Sequence, residues 1–137
     1  MDISSRDPES LLQAIPYCRH LGIRAERRDG GLILVMPFAE KLVGNVMLPA
    51  LHGGVIGSLL ETAAIVQAAL EMRGPKLPKP VDITIDYLRS ARAVESFARA
   101  RIAKLGRRVV NVHAEMWQED EAKPVAALRG HFLVDAS

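Results

Sequence analysis

Cysteine is almost absent from the 137-residue chain. Cys18 stands alone, so no intramolecular disulfide can form and no cysteine-based zinc cluster can assemble. That usage fits a reducing cytoplasm, where we expect the protein to reside. Aromatic residues are scarce too, six in all, which leaves few stacking platforms for nucleic-acid bases. An excess of charge of either sign is also missing: 18 Lys and Arg against 16 Asp and Glu give a formal +2. A nucleic-acid partner would ask for a basic stripe, and none is expected. The chain lacks a clean membrane-length apolar run, because Glu61 and Gln67 interrupt Val55 to Leu70. Its start, MDISSRDPES, has neither a basic n-region nor an apolar h-region. Secretion and membrane spanning are therefore not expected.

What is present is a core. Hydrophobic residues make up 49% against 25% charged, enough for one domain over residues 1–137 built on Val, Ile, Leu and Ala. Asp7-Pro8-Glu9 before Leu11, Leu12 and Ile15 reads as a capped short helix that Pro16 should end, within an N-terminal helical segment over residues 1–20. Two β-prone runs flank Asp29-Gly30-Gly31, predicting a hairpin with strands near 22–28 and 31–36. Residues 38–50 show no sustained period and carry Gly44, Asn45 and Pro49, so they read as a loop.

Gly53 to Arg73 contains no proline, is rich in Ala and Leu, and is apolar on nearly every side. That predicts a long helix buried all round. A stiff connector, Gly74 to Pro80, returns the chain to strands expected near 81–89, 95–104, 108–118 and 125–134, arranged as an antiparallel meander. This order excludes alternating βα units. Keeping every side of one apolar helix dry is simplest if an antiparallel sheet of about six strands curls around it. The result is an α+β fold with the hotdog layout.

One constellation carries chemistry. His52-Gly53-Gly54 stands where the loop enters the helix, and Glu61 follows nine residues after the histidine. Two glycines at a helix start expose amide donors at the positive end of the dipole, where a carbonyl oxygen gaining negative charge would fit. The same glycines also suit a plain turn or close packing. Glu61 has no basic partner at helical spacing, so it should face a cleft or a subunit boundary, where it can serve as general base or nucleophile, or bond a neighbouring strand. His52 taken alone is equally a loop histidine bonded to backbone. His20, His113 and His131 show no ligand spacing with acids or Cys18, so no metal and no other cofactor is expected. The order of His52 and Glu61 is not HExxH, and Ser58 lacks a GxSxG setting, which disfavours a serine hydrolase.

The stretch Leu51-His52-Gly53-Gly54-Val55-Ile56-Gly57-Ser58-Leu59-Leu60-Glu61-Thr62-Ala63 resembles the signature of the PaaI-like acyl-CoA thioesterases, a hotdog-fold family. Val81-Asp82-Ile83-Thr84-Ile85-Asp86-Tyr87-Leu88-Arg89 is similar to that family's strand after the helix. With the Gly106-Arg107 turn and the closing strand from Ala126 to Val134, the resemblance spans the chain from about Gly22 onward. It implies an acyl-CoA substrate, coenzyme A entering only as part of that substrate. It further implies a homodimer whose sheets join edge to edge, often paired again into tetramers, with active sites at the subunit boundary. The Gly53 amide would polarise the thioester carbonyl, His52 and a nearby Asn or Gln would orient the site, and Glu61 of the partner subunit would drive hydrolysis.

The chain departs from that pattern at several places. The family more often has Asp where Glu61 stands. Its asparagine six residues before the histidine is Val46 here, with Asn45 one position earlier; Pro49 replaces a glycine and Ser90 a proline. Arg89, Arg107 and Arg108, at strand ends or turns, are candidates for the phosphates of coenzyme A, or are solvated surface arginines. Thr84 and Asp86, with Asp82, form a polar strand face that should line the cleft, and Gly54 should flank the substrate. The expected function is hydrolysis of small- or medium-chain or aryl acyl-CoA. A non-catalytic acyl-CoA or lipid binder on the same scaffold is the alternative, and a hydratase acting on enoyl thioesters fits HGG and Glu61 less well.

Overall fold

The structure is a computed structural model that describes residues 7–29 and 31–134. Helix α1 (Pro8–Gln13) begins as expected, with the Asp7 side chain accepting the Ser10 N–H at 2.8 Å and Pro8 in the first turn. Pro16 does more than stop it. With its fixed φ and missing N–H, Pro16 opens a second short helix, α2 (Pro16–Leu21), which closes on left-handed Gly22 at φ 75°. That cap delays the first strand, so β1 is Arg24–Arg28 rather than starting at residue 22, and it pairs antiparallel with β2 (Gly31–Met36) as the expected hairpin.

Residues 38–50 are not all loop. A 3₁₀ turn at Glu40–Leu42 leads to β3 (Val43–Asn45), which pairs with β4 (Ala50–Leu51). Strands this short leave no period to read. The long helix α3 (Gly53–Met72) follows, then β5 (Lys79–Tyr87), β6 (Ser96–Lys104), β7 (Val109–Trp117) and β8 (Ala126–Leu133).

The main sheet has the order β1-β2-β6-β7-β8-β5, every neighbouring pair antiparallel. The expected four-strand meander holds for β6 to β8 and fails for β5, which pairs with β8 at the far edge instead of with β6. Pro80, inside β5, is compatible with that placement because an edge strand has one row of amides not engaged in the sheet. Six antiparallel strands with one long helix on a single face are the α+β hotdog layout.

Helix α3 packs mainly on β6 and β7 and reaches β2 and β8. The sheet face beneath it is rich in small residues, with Ala98, Ala100, Ala114 and Ala126 among Val110, Val112, Met116, Leu128 and Phe132, all buried. Small side chains under the middle of the helix let Leu59, Leu60, Val66 and Ala64 seat with no exposure. Among the described residues α3 is the one helix long and apolar enough to cross a membrane, and its packing against the sheet makes it a core helix instead. It is nevertheless not dry on all sides. Ser58, Glu61 and Ile65, at helical spacing, form a half-buried stripe with exposed Gly54 at its head. The sheet covers one side of α3 only, and the edge strand β5 meets just its first turns.

Candidate active site at the start of the long helix

His52 is the N-cap of α3, and its position is fixed from several directions. Its N–H donates to the Leu42 carbonyl at 2.8 Å, while the preceding Leu51 N–H donates to Ala91 at 3.0 Å. Its ring Nδ1 accepts the Gly54 N–H at 2.9 Å, which leaves the ring proton of the neutral form on Nε2. Its carbonyl accepts the N–H groups of Val55 and Ile56 at 3.0 and 3.2 Å.

A helix start leaves amides without intrahelical acceptors. Here the Gly54 amide is taken by the His52 ring and the Val55 and Ile56 amides by the His52 carbonyl. The Gly53 N–H has no acceptor among the described residues, and Gly53 lines an open cleft with Ala50, Leu51, Ile56, Tyr87 and Arg89. An unengaged donor at the positive end of a 20-residue helix, on a residue that lines a cleft, is suited to a developing oxyanion.

Glu61 is half-buried on the open stripe and makes no hydrogen bond or ion pair with a described residue. It lies eight residues beyond Gly53, about 12 Å along the axis at 1.5 Å per residue. A glutamate side chain does not bridge that gap by itself. Ser58, one turn before Glu61, spends its hydroxyl proton on the Gly54 carbonyl at 2.8 Å, and Thr62 likewise bonds the Ser58 carbonyl at 2.7 Å. Neither is set up as a nucleophile. Cys18 is no better: its thiol is buried against the Thr62 hydroxyl, and burial pushes it above the ordinary thiol value while that hydrogen bond pulls the other way.

The other sequence candidates divide. Arg89 is exposed at the rim of the cleft, its N–H anchored to Val125 at 3.1 Å. The Asn45 side-chain oxygen accepts the amides of Met47 and Leu48 at 3.0 and 3.2 Å, so it shapes the β3–β4 turn. Arg107 and Arg108 lie in the β6–β7 turn, at the opposite end of the sheet from Gly53. Thr84 is not beside the helix start: on β5 it is Ile83, Ile85 and Tyr87 that face α3, while Thr84, Asp82 and Asp86 point to the other face. There His131 bonds Asp82 at 2.9 Å and holds its carboxyl below the usual value. Asp86 lines a second cleft of about 320 Å³ on that outer face with Arg99, Arg101, His113 and Arg129. None of the residues around Gly53 reaches it.

Two residues of the helix start escape sequence reasoning. A Cβ on Gly44 would lie 2.7 Å from the His52 Cα, so only glycine lets β3 run against the cap. The Tyr87 hydroxyl donates to the Gly53 carbonyl at 2.9 Å from across the cleft. Gly44 looks like any loop glycine, and Tyr87 like an alternating strand residue; only the alternation hinted that Tyr87 points toward the helix.

The sequence profile of the thioesterase superfamily matches residues 48–125, from the turn before His52 to the start of β8. Across 128 aligned positions, 82% of each chain, the sequence is 28% identical to a medium/long-chain acyl-CoA thioesterase, YigI, of Salmonella typhimurium, and 27% identical to YigI of Escherichia coli K12. A solved protein from Chromobacterium violaceum shares 36% identity over 97% of this chain and 93% of its own, with a TM-score of 0.73. A Shewanella oneidensis protein related to the thioesterase superfamily superimposes with a TM-score of 0.81 at 22% identity, over 93% of this chain and 92% of its own.

Proposed function

Because the chain belongs to the thioesterase superfamily, we propose that it hydrolyses acyl-CoA thioesters to the free acid and coenzyme A, at a site completed by a second copy of the chain. The observation that carries the reading is the unengaged Gly53 N–H, held at the helix start beside a cleft while every neighbouring amide is spoken for. The acyl carbonyl binds there, and the amide and helix dipole stabilise the oxyanion as it forms.

Glu61 of the partner subunit supplies the other half. As general base it takes a proton from water; the hydroxide adds to the carbonyl carbon, the tetrahedral oxyanion collapses, and the C–S bond breaks. The coenzyme A thiolate then regains a proton from the carboxyl. As nucleophile the same carboxylate would add to the carbonyl carbon and expel the coenzyme A thiolate, which takes a proton from water, leaving an acyl anhydride that a second water opens to the free acid and the carboxylate. Carboxylate oxygen exchange from ¹⁸O-water in a single turnover separates the two routes.

Several features support a shared site. The rise of about 12 Å along α3 is longer than a glutamate side chain, which favours a Glu61 from the second copy at each Gly53. Strand β5 is a nine-residue edge with most of its length exposed, an unpaired ladder that a second copy can continue. Val81, Tyr87 and Leu88 are exposed along and just beyond it, as are Val46, Met47 and Leu48 on the β3–β4 turn. A two-fold axis at that edge pairs β5 with itself antiparallel. It sets one chain's Lys79 end, with Arg107 and Arg108, toward its partner's Gly53 end, where the arginines and Arg89 can meet the coenzyme A phosphates.

We read the acyl group as an aliphatic chain of medium length by likeness to the medium/long-chain acyl-CoA thioesterases of Salmonella typhimurium and Escherichia coli, with Leu51, Ile56 and Leu88 offering it apolar contacts in the cleft. Purified protein is expected to release coenzyme A from a medium-chain acyl-CoA at a rate well above blank, and faster than from acetyl-CoA. Saturable binding of every acyl-CoA tested without release would contradict the reading and favour a binding protein.

A further inference from the structure

We propose that Tyr87 is a positioning residue for the oxyanion donor, clamping the peptide unit between Gly53 and Gly54 from one side while His52 clamps it from the other. The inference rests on the function proposed above and adds a residue to it. The two ends of that single peptide unit are both held by side chains: the Gly53 carbonyl accepts from the Tyr87 hydroxyl at 2.9 Å, and the Gly54 N–H donates to His52 Nδ1 at 2.9 Å.

The physical need is local. Glycine carries no Cβ to restrict its φ and ψ, so two glycines in succession at a frayed helix start form the softest point of α3. The Gly53 N–H belongs to the peptide on the near side of the Gly53 Cα. The near peptide is held through the His52 carbonyl, which accepts the Val55 and Ile56 amides, and the two side-chain bonds hold the far peptide, so that both peptides flanking the Gly53 Cα are fixed. The Tyr87 ring also packs on the Gly53 backbone: a Cβ on Gly53 would stand in ordinary contact with it, 3.6 Å from its hydroxyl oxygen and 3.7 Å from its ring carbons. One turn on, a Cβ on Gly57 would meet Ile85 Cδ1 at 3.1 Å. Strand β5 thus comes close to α3 at two glycines a turn apart. Tyr87 ends the edge strand on which the partner would pair, so strand pairing and donor aim share one side chain.

Tyr87→Phe removes the hydroxyl and keeps the ring. We expect kcat to fall about tenfold with KM within about twofold, the cost of one hydrogen bond acting on the transition state. Amide exchange followed by NMR should accelerate at Gly54, while protection in β7 and the melting temperature stay at wild-type values. Wild-type kcat together with wild-type exchange at Gly54 would overturn the clamp, and so would a fall in kcat matched by lost protection throughout the sheet. If the wild type hydrolysed no thioester, the proposed function would fail by itself. The exchange measurement would then decide the clamp, faster Gly54 exchange supporting it and unchanged exchange overturning it.

Discussion

Replacing Glu61 by Gln is expected to lower kcat for acyl-CoA hydrolysis about a thousandfold, within the range for loss of a general base. The amide has nearly the shape of the carboxylate but cannot take a proton from water or attack a carbonyl carbon. The fold should not suffer. Glu61 makes no hydrogen bond or ion pair with a described residue, and its half-buried carboxylate has only desolvation to lose by becoming neutral. The melting temperature should therefore match or exceed that of the wild type. Coenzyme A release, corrected for the slow reaction of buried Cys18 with thiol reagents, reads the rate. Activity within tenfold of wild type would remove Glu61 from the mechanism.

Gly44→Ala is expected to have the second large effect, and for a different reason. The added Cβ would sit 2.7 Å from the His52 Cα and 3.0 Å from its Cβ, so no side-chain rotation relieves the clash and the backbone of β3 or of the helix cap must move. Overpacking of this kind costs about 1–3 kcal/mol of stability. The displacement also falls on the residue that caps α3, and a shift of about 1 Å at a catalytic centre can cost about a hundredfold in rate. Thermal unfolding and coenzyme A release on the same preparation should both report the loss. Wild-type stability and rate together would mean that the β3 segment does not hold His52 in place.

The contrast between Glu61 and Gly44 shows what was legible in the sequence. A carboxylate with no cation at helical spacing, in a helix otherwise apolar, is visible in one dimension. So is a pair of glycines at a helix start, and the fold order of two strands, a long helix and four strands followed from periodicity. Gly44 is important because β4 folds back beside β3, a contact between segments too short to show a pattern. The position of β5 was hidden for a similar reason: a strand next to β6 in sequence gives no sign that it pairs with β8, whereas its alternation puts Thr84 on the face opposite Ile83, Ile85 and Tyr87, away from α3. The helix was read as dry on all sides because composition records apolarity and not coverage. The stripe of Ser58, Glu61 and Ile65 is left open by a sheet that covers one side. The role of Tyr87 depends on the fold, since nothing in a Tyr-Leu-Arg run says which carbonyl the hydroxyl reaches.

The central claim is that one copy supplies Gly53 and His52 and the other Glu61, and the most direct measurement mixes two inactive variants. Glu61→Gln lacks the base, and His52→Ala loses the cap that holds the Gly54 amide, each leaving little turnover as a homodimer. After the two are unfolded together in equal amounts and refolded, a shared site predicts recovery of about a quarter of wild-type activity. Half of the dimers are then mixed, and each mixed dimer holds one intact site of two. No recovery above the separately refolded variants, with mixed dimers shown to have formed, would place Glu61 and Gly53 in the same chain's site and contradict the account.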